Sequence, residues 1–287
     1  MVETGQSTIR GIDIQKVAVG FADEENIFKQ FLTVVPTSAR EIRWYQKTAG
    51  FVDTTDTSGV TASQIANLPY GSQFPIAKQS WTRNTTYVRK YAVESETVSE
   101  EDIKDSDPDV WGTTMRDLVR AVENQVDVRI YGQLSGSFAL SGTAAGTGWG
   151  DGTNGNPIQD LLSGSRLIRN QRYSVNDLVA IMNPLEYQKL MTYLITTKGS
   201  SIPAFSSDLA KDGVLLRLMN NKIVVSANAD QNTVIQFVPQ RVGKWHTFTG
   251  ISTAVIDDPG IGKKFRVWEE GEVTVTDINA GVSLKGC

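Results

Sequence analysis

The feature that most constrains the fold is a long amphipathic helix, which the sequence predicts over residues 108–131. Asp107 is a favourable N-cap, and Pro108 stands where the first helical residue is expected. Apolar residues then recur at steps of three or four, as they do on one face of a helix. These residues are Trp111, Met115, Leu118, Val122, Val126 and Ile130. A helix of this length spans about 36 Å, which makes it a long amphipathic core helix.

Charged residues and glycines complete the prediction for this helix. Four charged residues are assigned to its other faces: Arg116, Arg120, Glu123 and Asp127. Gly132 and Gly136 are expected to end the helix, because glycine is favoured just beyond a helix C-terminus.

The segment before this helix, residues 70–98, is rich in β-forming residues and poor in apolar ones. Its centre, Ser80–Tyr87, is predicted as the tip of a hairpin, so that the flanking residues form a long two-stranded ribbon. An isolated two-stranded ribbon is only marginally stable in water. We therefore expect the ribbon to lie on another surface, that of a neighbouring subunit.

The two halves of this region carry opposite net charges. Residues 76–91 contain four basic residues and no acid, whereas residues 94–109 contain eight acids and one lysine, which gives charges of +4 and −7. Acids at a helix start interact favourably with its dipole, which is the simpler explanation. They gain a second role if the basic hairpin of one subunit lies over the acidic segment of its neighbour. The predicted inter-subunit contact residues are Lys78, Arg83, Arg89, Lys90, Glu94, Glu96, Glu100 and Glu101.

The remaining segments predict an α+β fold. Residues 1–20 are read as an extended arm, and residues 22–35 as a helix that Pro36 ends, on the spacing of Ile27, Phe28, Phe31 and Leu32. Further predicted helices cover 158–171 and 184–195. Predicted strands cover 40–48, 177–183, two segments of 214–228 around Asn220-Asn221, and four segments between 233 and 286.

Several kinds of chemistry are excluded by residue usage. The chain has one histidine and one cysteine, so zinc sites built on clusters of these residues are excluded. His246 lies in a strand-like run with no accompanying nucleophile motif, and we expect it in a buried or interface position. The glycine-rich run 142–157 lacks the lysine of a phosphate-binding loop. We therefore predict no catalytic, cofactor or metal residue, and a protein that is not an enzyme.

Charge and hydropathy limit the partners. The net charge of −4 provides no basic surplus for gripping nucleic acid through its phosphates. The N-terminus does not read as a signal peptide, and no run approaches the roughly 18 to 20 apolar residues of a membrane helix. We expect a soluble protein that is made in the cytosol.

The order of these parts resembles the major capsid proteins of tailed double-stranded DNA bacteriophages, the Hong Kong 97-type capsid fold. The stretches DLVAIMNPLEYQKL (177–190) and FRVWEEGEVTVTDINAGVSLKG (265–286) are similar to an axial-domain strand and helix and to the closing strands of that family. The resemblance implies six parts: an N-terminal arm (1–35), the first part of the peripheral domain (36–69), a β-hairpin called the E-loop (70–105), the spine helix and glycine-rich loop of the peripheral domain (106–156), an α/β axial domain (157–258) and the return strands of the peripheral domain (259–287).

The resemblance also implies a function. The chain is expected to assemble into pentamers and hexamers of an icosahedral shell around double-stranded DNA, with a portal protein, a scaffolding protein and in some cases a decoration protein as partners. It would be assembled in the host cytoplasm and reside in the virion, without a cofactor. Lys78 or Lys90, and Asn279, lie in places loosely comparable to a covalent cross-link of the founding phage; we predict a shell without such links. An encapsulin-type nanocompartment is the first alternative, and a soluble α/β enzyme or binding protein is the second.

Overall fold

The computed structural model describes residues 27–49, 68–74, 76, 80–99, 110–144, 148–151, 154–197 and 217–287. Residues 1–38 and 88–287 form one compact unit, and residues 39–87 form a second, smaller unit. The described helices are α1 (Val110–Ser137), α2 (Pro157–Asn170) and α3 (Pro184–Thr192), with a 3-10 turn at Lys29–Phe31 and a π-helical turn at Tyr193–Thr197. The described strands are β1 (Thr33–Pro36), β2 (Glu41–Ala49), β3 (Ser80–Tyr87), β4 (Arg89–Glu94), β5 (Val98–Ser99), β6 (Leu140–Thr143), β7 (Leu178–Met182), β8 (Arg217–Leu218), β9 (Asn221–Val225), β10 (Thr233–Phe237), β11 (Gly243–Asp258), β12 (Gly262–Val275) and β13 (Gly281–Lys285).

A six-stranded mixed sheet, in the order β6-β13-β10-β7-β9-β8, forms one layer of the larger unit. The pairs β7–β9 and β6–β13 are parallel and the other pairs are antiparallel. Its central strand β7 is buried at every position, which explains the continuous apolar run that predicted it. Leu161 and Ile168 of α2 and Leu190 of α3 belong to the buried cluster that covers this sheet.

Local signals explain where α2 and α3 begin. Asn156 and Asn183 are the N-caps: each side-chain oxygen accepts a hydrogen bond from a backbone N–H of the first turn, at 3.2 and 3.1 Å. A proline follows each cap, at the position where the missing N–H costs nothing. The predicted helices at 158–171 and 184–195 are thereby confirmed, with the π-helical turn extending the second.

A five-stranded sheet carries the long helix. Its order is β1-β11-β12-β4, with β5 also paired to β12, and β1 runs parallel to β11. Helix α1 lies against β12 and β4. The buried cluster between them joins Met115, Val119 and Val122 of the helix to Phe265 and Val267 of β12.

The predicted long helix is confirmed, but the predicted position of its C-terminal end is wrong. Helix α1 runs to Ser137, so Gly132 and Gly136 lie inside it and do not end it. Tyr131 and Leu134 are buried in the last turns, and their packing outweighs the roughly 1 kcal/mol by which each glycine disfavours a helix. Asp107, Pro108 and the side chain of Trp111 lie outside the described residues.

Two charged residues of α1 that the sequence assigned to its other faces are buried. Glu123 and Asp127 are only 2% and 1% exposed, so the buried surface of the helix is wider than the predicted apolar face. They stand one turn apart, between Val119 and Ile130, and therefore share the buried stripe. Burial of a carboxylate requires partners, and both residues have partners here.

The helix predicted over 22–35 is not observed in its described part, residues 27–35. The chain makes a single 3-10 turn and then enters β1, which pairs with Lys244–Thr247 of β11. Phe28, Phe31 and Leu32 are buried as expected. Their spacing therefore indicated burial correctly, but it did not indicate a helix. The β-branched run Thr33-Val34-Val35 favours the strand.

The hairpin tip predicted at Ser80–Tyr87 is also wrong. This segment is strand β3, which pairs antiparallel with β2 from Glu41 opposite Tyr87 to Ala49 opposite Ser80. A ribbon therefore exists, but its first strand is the one predicted at 40–48. The residues of β3 are aromatic or β-branched at five of eight positions, a composition typical of a strand and not of a turn.

The strands predicted after residue 176 are confirmed. Strands β8 and β9 flank a turn at Met219 and Asn220, whose φ angles are 50° and 65°. Strands β10 to β13 match the last four predicted segments. The boundaries of the arm, peripheral, E-loop and axial parts stay predictions.

Candidate inter-subunit surface

Three of the predicted contact residues lie on β4 and pair within the chain. Lys90 Nζ lies 3.7 Å from Glu270 Oε1 and over the ring of Trp268. Glu94 accepts hydrogen bonds from Arg266 at 2.6 and 2.9 Å. Lys90 and Glu270, like Glu94 and Arg266, are directly opposite in the β4–β12 register, so these are cross-strand pairs that stabilise the sheet.

Arg89 contacts a buried carboxylate. Its Nε lies 3.0 Å from Oε2 of Glu272, a side chain that is fully buried. Arg129 of α1 donates two hydrogen bonds to the same carboxylate, at 3.0 and 3.2 Å. Two guanidinium groups therefore compensate one buried charge, and they connect β4, β12 and α1.

The other predicted contact residues are dispersed. Arg83 is exposed on β3, and Glu96 is exposed just after β4. Lys78, Glu100 and Glu101 lie outside the described residues. The structure thus brings Arg89, Lys90 and Glu94 onto one strand, and their role between subunits stays a prediction.

The ribbon formed by β2 and β3 has two different faces. On one face Arg43, Tyr45, Trp81, Arg83 and Tyr87 are all exposed, with Tyr45 directly opposite Arg83. Arg43 donates two hydrogen bonds of 2.7 Å to Glu41, and this contact lowers the pKa of the Glu41 carboxyl. The face combines tyrosine, tryptophan and arginine, the residues most enriched at binding hot spots.

The opposite face of the ribbon is more covered. Ile42 is buried, and Trp44, Gln46, Asn84 and Thr86 are half-buried. Asn84 donates a hydrogen bond across the ribbon to Gln46 at 3.2 Å. The sequence-based prediction selected basic residues of this region and missed the aromatic face. A signal was available, because Trp81, Arg83 and Tyr87 follow the period of two that places side chains on one face of a strand.

Exposed apolar side chains concentrate in the smaller unit. Fifteen large hydrophobic residues are exposed within the described part of the chain, and seven of them lie in residues 39–87. They are Tyr45, Leu68, Tyr70, Phe74, Ile76, Trp81 and Tyr87. Single exposed hydrophobic residues are common on any protein, whereas a contiguous group of them is typical of an interaction surface. The concentration in residues 39–87 makes this unit the candidate surface.

The lone histidine is half-buried in the single chain and lies beside a hydroxyl group. His246 Nε2 lies 3.0 Å from Thr274 Oγ1 on the neighbouring strand. Burial, and to a lesser extent Lys244, lower the pKa of His246. Within the described ranges, no three His, Cys, Asp or Glu side chains are grouped so that they could hold a metal ion. Of the helices that the structure describes, none is both long and apolar enough to cross a membrane.

Comparison with known proteins decides the family. The model of the family described as phage capsid protein matches residues 82–281. The chain belongs to the phage capsid protein family. The match includes β4, the long helix α1 and most of both sheets of the larger unit, so it rests on the parts that carry the fold. Among curated proteins, none matches this capsid protein in sequence.

Solved structures agree with this assignment. A virus-like particle protein from Pyrococcus furiosus is 13% identical, with a TM-score of 0.62, over 96% of this chain and 99% of that chain. The capsid of cyanophage P-SCSP1u is 13% identical, with a TM-score of 0.64, over 91% and 88% of the two chains. The mature capsid of bacteriophage PhiM1 is 11% identical, with a TM-score of 0.64, over 91% and 86%.

These likenesses show that the capsid protein has the Hong Kong 97-type fold that the order of its elements predicted. It is a shell protein, and the members of its family are structural proteins.

Proposed function

We propose that this protein is the major capsid protein of a tailed double-stranded DNA virus, which forms pentamers and hexamers of an icosahedral shell around the genome. The observation that carries the proposal is the concentration of exposed aromatic and aliphatic side chains in residues 39–87. In the proposed shell, the aromatic face of the ribbon lies on a neighbouring copy of the chain and is covered there.

The geometry of assembly follows from repetition of one contact. A surface that contacts a different surface of the next copy produces a closed ring when the rotation closes. Five and six copies per ring require the same contact at slightly different angles. A ribbon suits this role because its aromatic side chains provide contact area at a small cost in conformational entropy. A specific interface of this kind buries at least about 1,000 Å².

Charge supports a container in preference to a DNA-condensing protein. The net charge of −4 is consistent with a wall that encloses packaged DNA without binding its sequence. In this proposal the protein acts in the virion and has no catalytic role, and it is assembled in the host cytoplasm. A portal protein and a scaffolding protein are the expected partners, and a decoration protein is a further one.

Charge complementarity between the basic hairpin and the acidic segment of a neighbour is part of the proposal. Arg89 and Lys90 have acidic partners within the chain, so reversing their charge would disturb the subunit itself. Arg83 is exposed on the aromatic face and provides the cleaner test. We expect Arg83→Glu to slow assembly, most at low salt, and Glu100→Lys with Glu101→Lys in the same chain to restore part of it. Normal assembly of Arg83→Glu at low salt would contradict the idea.

The main experiment separates assembly from folding. The variant Tyr45→Ser/Trp81→Ser/Tyr87→Ser removes the three aromatic rings of the ribbon face, and Leu185→Ser removes an exposed apolar side chain of the other unit as the matched control. The wild type and the control should form particles in electron microscopy and light scattering. The ribbon variant should stay as small species with an unchanged circular dichroism spectrum. A wild-type chain that stays monomeric at all salt and protein concentrations would overturn the proposed function.

The encapsulin-type nanocompartment remains the competing function, since a virus-like particle protein is among the similar structures. A viral capsid and a nanocompartment differ in what the shell encloses. Particles purified from their natural source should contain double-stranded DNA that resists nuclease until the shell is opened. Particles that contain a cargo enzyme and no DNA would favour the nanocompartment.

A further inference from the structure

The segment that leads into β1 is held to the spine helix by a buried cluster of charges. Lys29 Nζ donates hydrogen bonds to both carboxylate oxygens of Glu123, at 2.8 and 3.0 Å, and to Glu269 Oε2 at 2.6 Å. Glu123 lies on α1 and Glu269 on β12, and both are nearly inaccessible to solvent. Lys29 therefore joins three parts of the larger unit.

A third carboxylate holds the backbone of the same segment. Asp127 of α1 accepts hydrogen bonds from the backbone N–H groups of Ile27 and Phe28, both at 3.2 Å. Asp127 lies one turn beyond Glu123, so the two carboxylates bind consecutive residues of the segment. We call Ile27–Leu32 the anchor segment.

The cluster contains more negative than positive charge. Glu123, Asp127 and Glu269 contribute three carboxylates, and Lys29 is the ammonium group that contacts two of them. The strands packed on the other side contribute aromatic rings: Trp245 of β11 lies 5.5 Å from Lys29 Nζ, and Tyr91 of β4 lies beside Trp245.

Other cations lie near the anchor segment. Arg129 and Arg89 contact Glu272, a further buried carboxylate. Arg120 lines the same cavity as Asp127, and Lys222 lies over the ring of Phe31. Because buried carboxylates are costly without full compensation, the cluster gains stability when it takes up a proton.

We propose that docking of the anchor segment onto α1 is coupled to proton uptake by Glu123 and Asp127, so that the segment is held more tightly in mild acid than in mild alkali. This inference concerns the single chain and does not depend on shell formation. It gives the beginning of the described chain a response to pH near neutrality.

The titration of the carboxyl groups agrees with this geometry. Burial raises the pKa of Glu123 to about 7, and the contact with Lys29 offsets only part of the effect. Burial raises the pKa of Asp127 to about 6, against the lowering effect of the backbone hydrogen bonds from Phe28 and Ile27. Since both values lie above the ordinary values of 4.5 and 3.8, the stabilisation is present in acid and is lost as the pH rises through about 6 to 7.

The expected size follows from linkage. A group with a pKa of about 7 when docked and near 4.5 when released makes docking about tenfold more favourable at pH 6 than at pH 8. Asp127 adds about a factor of two over the same interval, because its pKa of about 6 lies at the edge of the range.

Hydrogen exchange of the full-length chain measures this equilibrium. The protection factor of a peptide that covers the anchor segment, corrected for the intrinsic pH dependence of exchange, should rise about tenfold or more from pH 8 to pH 6. In Glu123→Gln the rise should shrink to about twofold, because glutamine keeps an acceptor for Lys29 but cannot titrate. Asp117→Asn, which changes an exposed carboxylate of the same helix, should keep the wild-type response.

A direct titration completes the test. Carbon-13 NMR of labelled glutamate carboxyl groups in the dissociated wild-type subunit should show one inflection between about pH 6 and 8, which is missing from Glu123→Gln. Protection of the anchor segment that is constant from pH 6 to 8, an unchanged response in Glu123→Gln, or titration of Glu123 below pH 5 would each overturn the proposal.

Discussion

The buried carboxylate of Glu272 allows a quantitative test of how the larger unit is held together. Arg129 makes two charge-assisted hydrogen bonds to it and is 25% exposed, whereas Arg89 makes one contact and is 59% exposed. Breaking a buried pair costs about 3 to 5 kcal/mol. Because Arg89 remains as a second cation, we expect Arg129→Met to lower the free energy of unfolding by about 2 to 3 kcal/mol. Arg89→Met should cost about 0 to 1 kcal/mol, because its pair is solvent-screened.

The double variant gives the more distinctive result. With both arginines replaced, Glu272 is fully buried and has no cation, so the cost should exceed the sum of the two single changes by on the order of 1 kcal/mol. Arg266→Met, which breaks the exposed pair with Glu94, is the matched control and should cost about 0 to 1 kcal/mol. The assay is urea unfolding of the dissociated subunit, because association adds its own stability. The reasoning is refuted if Arg129→Met costs no more than Arg266→Met.

Three further outcomes are expected. Gly271→Ala should destabilise the subunit by about 1 to 3 kcal/mol in thermal unfolding, because the new methyl group would clash with the ring of Trp245. Gly132→Ala should instead stabilise it by up to about 1 kcal/mol, because the space around this position of α1 is open and alanine favours a helix. Mature particles boiled in detergent should run as a single band in wild type and in Asn279→Ala alike, and ladders that vanish in the variant would show covalent links. The free energy of unfolding should rise by on the order of 1 kcal/mol between pH 8 and pH 6, because the raised pKa of Glu123 means that the folded state binds a proton more tightly. Glu123→Gln should remove most of that rise and leave the smaller contribution of Asp127.

Elements with signals in neighbouring residues could be predicted from the sequence. An Asn-Pro pair starts both α2 and α3, and the pair specifies a cap and a first turn without help from the rest of the chain. The apolar spacing of α1 likewise predicted the burial of Met115, Leu118, Val122, Val126 and Ile130. In each of these cases the information lies within one turn or one element.

Elements that depend on distant partners could not be predicted. The spacing of Phe28, Phe31 and Leu32 is equally compatible with a helix and with a turn followed by a strand, and the choice depends on the edge of β11 some 210 residues away. The partner of β3 is β2, which lies across a long connection, so turn residues near Ser80–Tyr87 carry no information about the pairing. The burial of Glu123 and Asp127 could not be predicted because the groups that compensate their charges, Lys29 and two backbone N–H groups, lie about 100 residues earlier in the chain.

The distribution of polar partners separates folding from assembly. In the larger unit, the buried carboxylates of Glu123, Asp127, Glu269 and Glu272 have cations or backbone donors within the same chain, so removal of a partner is expected to affect the fold. In the smaller unit, the aromatic face of the ribbon remains exposed in the isolated chain. The free energy that its burial provides is therefore gained only when a second chain covers it. Variants of the ribbon face should lower the degree of assembly at constant subunit stability, and variants of the buried charges should do the reverse. If the proposed assembly is correct, the contacts that hold the larger unit together and those that hold the shell together involve different side chains, and the two sets of variants will distinguish them.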